Sequence, residues 1–183
     1  MFERNTYWIL GSMTAVMCLW LTVSIQGAMP SDVGTEGWVA WVGGATPTTL
    51  TEQPYRLFTA PAAHLNAFHL LVNAALLWLA GLAVSRLNTP WVIPGCVIIS
   101  GAAGTAATLG VYGGYALGAS AGVFGLFGTL IWFLPAAERL TLWLTRMLVT
   151  GLVLALGALG GGDLIAHWSG FAVGVLFGIF HGL

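Results

Sequence analysis

Leu117-Gly118-Ala119-Ser120-Ala121-Gly122-Val123-Phe124-Gly125-Leu126-Phe127-Gly128 carries no charge and a single hydroxyl. Its small residues let other helix backbones approach closely, as they do between transmembrane helices. The rest of the chain agrees. Of 183 residues, 58% are hydrophobic and 6% charged, where a soluble domain carries about a quarter charged. The chain cannot cover a globular surface with polar groups, which excludes a soluble fold. Disorder needs low hydrophobicity and high charge, and is excluded too. Lysine is absent and the five arginines are scattered, so there is no basic patch for nucleic acid. The reading is an all-α, polytopic membrane protein lodged in the lipid bilayer.

A helical span needs about 20 mostly apolar residues. Six fit: Tyr7–Met29, His64–Ser85, Trp91–Gly110, Leu117–Leu134, Leu140–Leu159 and Asp163–Gly182. They form one six-transmembrane-helix domain over residues 1–183. The first apolar run is too long for a signal-peptide core and is kept as a span. The connections are short except Pro30–Ala63, whose Trp38 and Trp41 suggest a segment partly lying in the membrane surface. Cys18 and Cys96 sit in apolar runs and read as buried hydrophobes, with no metal or disulfide pattern.

Arg4, Arg86, Arg139 and Arg146 share one side if the spans alternate, and only Arg56 falls on the other. That asymmetry places both termini in the cytoplasm. Spans two, four and six then begin on the outer side, and polar residues in their first halves converge at one depth.

Those residues are His64, Asn66, His69 and Asn73 in span two, Ser120 in span four, and Asp163 and His167 in span six. A polar group inside a membrane is costly unless paired or facing a cavity, which marks each as a functional candidate. His69 and Asn73 are four apart and share a helix face. His64 lies about 140° round the helix, near the membrane surface. Histidine and asparagine can donate hydrogen bonds to an oxyanion; the competing role is to bond a neighbouring span. Ser120 is a nucleophile or a packing residue. Gly118 before it permits a tight turn. Gly170 and Gly174 make a seam for close helix packing, and His167 precedes it by about one turn. Asp163, after Gly160-Gly161-Gly162, reads as a helix N-cap. No cofactor or metal is called for.

Together these segments resemble the rhomboid family of intramembrane serine proteases. Tyr55-Arg56 followed by His64-x4-His69-x3-Asn73 is similar to the family's first-loop and helix motifs. Gly118-Ala119-Ser120 is similar to its nucleophile site, and His167-x2-Gly170-x3-Gly174 to its histidine helix. The resemblance implies a six-helix rhomboid-like bundle of the minimal bacterial type, in the inner membrane. It implies a dyad with Ser120 as nucleophile and His167 as general base, cutting transmembrane protein substrates near the outer face. His69, Asn73 and the Ser120 amide would hold the oxyanion, and His64 would help line the pocket. Phe124 would stand where the family often has a tyrosine stacked on the histidine, and span five would be the substrate gate. Ala121 in place of glycine, Tyr55 in place of tryptophan and Ser85 near a common glutamate depart from the pattern. The alternative is a non-catalytic protein of the same fold that binds transmembrane clients.

Overall fold

The computed structural model describes residues 2–26, 34–86, 91–132 and 163–181. Helices α1 (Phe2–Gln26), α2 (Thr35–Trp41), α3 (Pro47–Glu52) and α4 (Arg56–Thr59) are followed by a 3₁₀ turn at Ala60–Ala62. Then come α5 (Ala67–Ser85), α6 (Val92–Tyr112), α7 (Ser120–Trp132) and α8 (Leu164–His181). Span five, 140–159, lies outside the described residues, as do 27–29, 133–134 and 182, the ends of spans one, four and six.

Helices α5, α6 and α8 are each long and apolar enough to cross a membrane, with mean hydropathies of 1.9, 1.7 and 1.5. Helix α7 is the centre of the bundle. Every residue from Ala121 to Leu130 is buried, as a helix apolar on all sides should be. It packs against α5, α6 and α8, most extensively against α8. The α7–α8 seam requires glycine: a Cβ on Gly170 would fall on the Ala121 carbonyl, and one on Gly174 on the Gly125 carbonyl. Without a hydrophobic driving force between helices in lipid, such contact supplies the attraction. A buried polar knot adds to it. The Thr129 hydroxyl donates towards the Gly174 carbonyl at 3.0 Å, and Cys96 Sγ lies 3.2 Å from Thr129 Oγ1.

Cys96 is thus buried but hydrogen-bonded, while Cys18 is exposed on α1. The expectation of two buried thiols fails at Cys18. Helix α1 turns Leu10, Met17 and Leu21 inward, and lipid accepts an outward apolar side chain as readily as a core does.

From Gly34 on, the long first connection holds three short helices and a 3₁₀ turn. Thr46 and Thr49 form a reciprocal capping box at the start of α3, with Pro47 in its first turn. Arg56 holds the segment together from within. One terminal nitrogen donates to the carbonyls of Ala40 and Gly44 at 2.8 and 2.7 Å, and its Nε to Gln53 Oε1 at 2.8 Å. Trp20 of α1 donates to the Val42 carbonyl at 2.7 Å. An antiparallel bridge between Ala45 and Ala116 fastens this segment to the connection leading into α7.

Four spans have a boundary that moves by more than one residue. Helix α1 begins at Phe2, five residues before the expected Tyr7. Helix α5 begins at Ala67 because Asn66 caps it, so His64 lies before the helix and not on its surface as the spacing suggested. Helix α6 runs on to Tyr112, where Gly113 closes it at φ +71°. Helix α7 begins at Ser120, three residues after the expected start.

Candidate active site

The N-terminal ends of α5, α7 and α8 bring the candidate residues together. On α5, Asn66 Oδ1 accepts the His69 amide at 2.9 Å, which sets the register of the first turn. One turn on, Asn73 is 2% exposed, and its Nδ2 donates to the His69 carbonyl at 3.0 Å. A side-chain amide carries two hydrogens, so one remains for another acceptor. Asn66, a functional candidate by its place in span two, is the cap of α5.

Gly118 fits beneath this pair. Its φ of +101° is costly for any residue with a Cβ. The space a Cβ would take is also filled: His69 Cε1 would lie 2.7 Å away and Asn73 Nδ2 3.8 Å away. The Gly118 amide donates to the Ala60 carbonyl at 3.2 Å, anchoring the turn to the 3₁₀ segment. Backbone direction therefore changes at Gly118, and α7 starts two residues later at Ser120. Val123 N donates to the Ala119 carbonyl at 3.0 Å, which leaves the Ser120, Ala121 and Gly122 amides as the first-turn donors the helix does not use.

His167 sits in the first turns of α8 and is 6% exposed. Asp163 caps the helix, Oδ1 accepting the Ala166 amide at 3.0 Å. The His167 ring stacks on Phe124, centroids 4.5 Å apart and planes 14° from parallel. Phe124 is four residues after Ser120 on α7, and Gly170, three after His167, meets the Ala121 carbonyl. The imidazole therefore lies against the turn of α7 that starts with Ser120. Ser120 and His167 make no hydrogen bond with each other; the ring is held by Phe124.

His64 is fully buried between the 3₁₀ turn and α5, its ring 5.1 Å from that of His69. Its Nδ1 lies 3.0 Å from the Ala62 carbonyl. A carbonyl only accepts, so Nδ1 carries the proton there. Burial first, then the neighbouring His69, lowers its pKa to about 4, with the Ala62 carbonyl pulling the other way. His64 is therefore neutral at pH 7. Among the described residues, buried His64 Nε2, His69 Nδ1 and His167 Nδ1 have no hydrogen-bond partner. Among the described residues no group of three His, Cys, Asp or Glu side chains is placed to hold a metal.

The sequence pattern missed Thr108. Its hydroxyl donates to Asp163 Oδ2, so the α8 cap is also joined to α6. The one available signal was Gly104-x3-Thr108, a row of small residues in span three.

A family model described as the Rhomboid domain matches residues 51–182. RHOMBOID-like protein 4 of Arabidopsis thaliana is 31% identical over 134 residues, which cover 69% of this chain. The chain spans 34% of that relative's length.

Proposed function

The chain belongs to the rhomboid family, and from that premise we propose that it is an intramembrane serine endopeptidase. In this reading Ser120 is the nucleophile, His167 the general base, and the substrates are transmembrane segments of other proteins. The observation that carries it is the His167 ring stacked on Phe124, one helical turn from Ser120.

Serine is a weak nucleophile until a base removes its proton. As Ser120 Oγ attacks the substrate carbonyl carbon, His167 takes the hydroxyl proton. The carbonyl oxygen becomes an oxyanion beside the unused first-turn amide of Ser120, the second hydrogen of Asn73 Nδ2 and the His69 ring. Collapse breaks the peptide bond, and His167 gives its proton to the leaving amine. Water then attacks the acyl-enzyme with His167 again as base, freeing the new carboxylate and restoring Ser120. The three helix ends supply the positions and the Gly170–Ala121 contact keeps the two catalytic helices together.

The same reading sets the chain in a bacterial inner membrane, with both termini cytoplasmic and the long first connection outside. Cysteine accessibility mapping on a background lacking Cys18 and Cys96 tests this; outer-side labelling at position 4 reverses it.

The test of function is cleavage of a transmembrane substrate by purified protein in detergent. Wild type cleaves, and Ser120→Ala and His167→Ala do not, with melting temperatures near wild type. Full activity in Ser120→Ala refutes the reading. A well-folded wild type without cleavage favours the non-catalytic client binder, for which the missing Ser120–His167 hydrogen bond is the specific observation.

A further inference from the structure

We infer that Thr108 and Asp163 form a positioning unit for His167, tying α6 to the first turn of α8. The inference rests on the protease reading above and adds two residues to it.

Asp163 uses both carboxylate oxygens. Oδ1 accepts the Ala166 amide at 3.0 Å, and Oδ2 accepts the Thr108 hydroxyl. One turn back along α6, Gly104 lies against the same turn of α8, where a Cβ would stand 3.0 Å from the Ala166 carbonyl. Helix α6 therefore grips the start of α8 at two levels, by close backbone contact at Gly104 and by a hydrogen bond at Thr108. His167 follows Ala166 directly, and its amide donates to the Asp163 carbonyl at 3.1 Å. Among the described residues no hydrogen bond aligns the His167 ring, and its Nδ1 has no partner. The ring takes its position from Phe124 on one side and from the backbone of this turn. Asp163 makes no hydrogen bond to the imidazole; its hydrogen bonds to this turn go to the backbone amides of Ala166 and His167. Misplacing a catalytic group by about 1 Å costs up to roughly a hundredfold in rate.

The chemistry of the pair allows a clean dissection. Thr108 Oγ1 also lies 3.0 Å from the Gly104 carbonyl, yet it has one hydrogen to give. In Asp163→Asn the amide oxygen still caps Ala166. Its NH₂ donates to Thr108 Oγ1, whose own hydrogen returns to Gly104. In Asp163→Ser the short hydroxyl still caps the helix but cannot span to Thr108. Thr108→Val keeps shape and removes the hydroxyl.

The experiment measures kcat and KM on a transmembrane substrate, the rate of fluorophosphonate labelling of Ser120, and the thermal melt, all in detergent. Thr108→Val and Asp163→Ser should each lower kcat and the labelling rate roughly tenfold, with KM within about twofold and near-native melts. Asp163→Asn should stay within about threefold of wild type. The double variant Thr108→Val/Asp163→Ser should be no worse than either single one, because both remove the same tie. Wild-type kcat in folded Thr108→Val overturns the inference. So does an Asp163→Asn loss as large as that of Asp163→Ser, which would make the charge itself the active feature. A wild-type protein that neither cleaves nor labels refutes the protease reading first, and this inference with it.

Discussion

The Phe124 ring lies face to face with the His167 imidazole, 4.5 Å between centroids. This stack, and not a bond to Ser120, fixes the imidazole across the helix seam. An aromatic pair of this kind contributes about 0.5–1.5 kcal/mol beyond its buried area. Phe124→Leu should therefore lower kcat roughly threefold to tenfold, while Phe124→Tyr keeps the ring and stays near wild type. Steady-state cleavage by the two variants checks this; equal activity in both would remove the stack from the account.

On the protease reading, Asn73→Ala should reduce kcat with little change in KM, because its second amide hydrogen would serve the oxyanion and not the ground state. Loss of one such donor costs roughly 2.7–4 kcal/mol where the effect has been isolated. Here the Ser120 amide and His69 remain, so cleavage should stay measurable. Abolished cleavage with a lowered melt would instead give Asn73 a structural role.

Much of this site was legible from residue type and spacing. His69, Asn73, Ser120 and His167 stand out because polar side chains are rare in such apolar spans, and alternation of the spans puts them at one end. The positive φ at Gly118 was foreseen as a tight turn, although the His69 ring filling the place of its side chain was not. His64 was misplaced because an apolar run does not reveal where a helix starts; the Asn66 cap does. The helices of the first connection were hidden by their brevity, since six or seven residues show too little periodicity. The Thr108–Asp163 bond joins residues 55 apart in sequence, and a threonine inside a helix usually bonds its own preceding turn.

Gly170→Leu should fail by unfolding, not by chemistry. A side chain there meets the Ala121 carbonyl, which belongs to a helix backbone and cannot step aside. Overpacking a close contact costs about 1–3 kcal/mol, and more where backbone must move. The melt in detergent should fall sharply, and residual activity should follow the folded fraction. A native melt would show that the seam is looser than described.

Stability should depend on pH through His64. Its folded pKa of about 4 lies below the ordinary 6.5. Between those values the unfolded chain binds the extra proton, so stability falls as pH drops through this window. A single such group costs about 1.4 kcal/mol per pH unit inside it. His64→Asn, which can still donate to the Ala62 carbonyl, should flatten part of the acid slope of the melting temperature. An unchanged slope would show that His64 does not carry it.

The most direct measurement is mass spectrometry of the fluorophosphonate adduct on folded protein in detergent. The account predicts one adduct, on Ser120, formed in wild type and in Phe124→Tyr, and lost in His167→Ala while that variant keeps a native melt. Wild-type protein with a native melt and no adduct on Ser120, or equal labelling of Ser120 in His167→Ala, would contradict a nucleophile activated by this histidine.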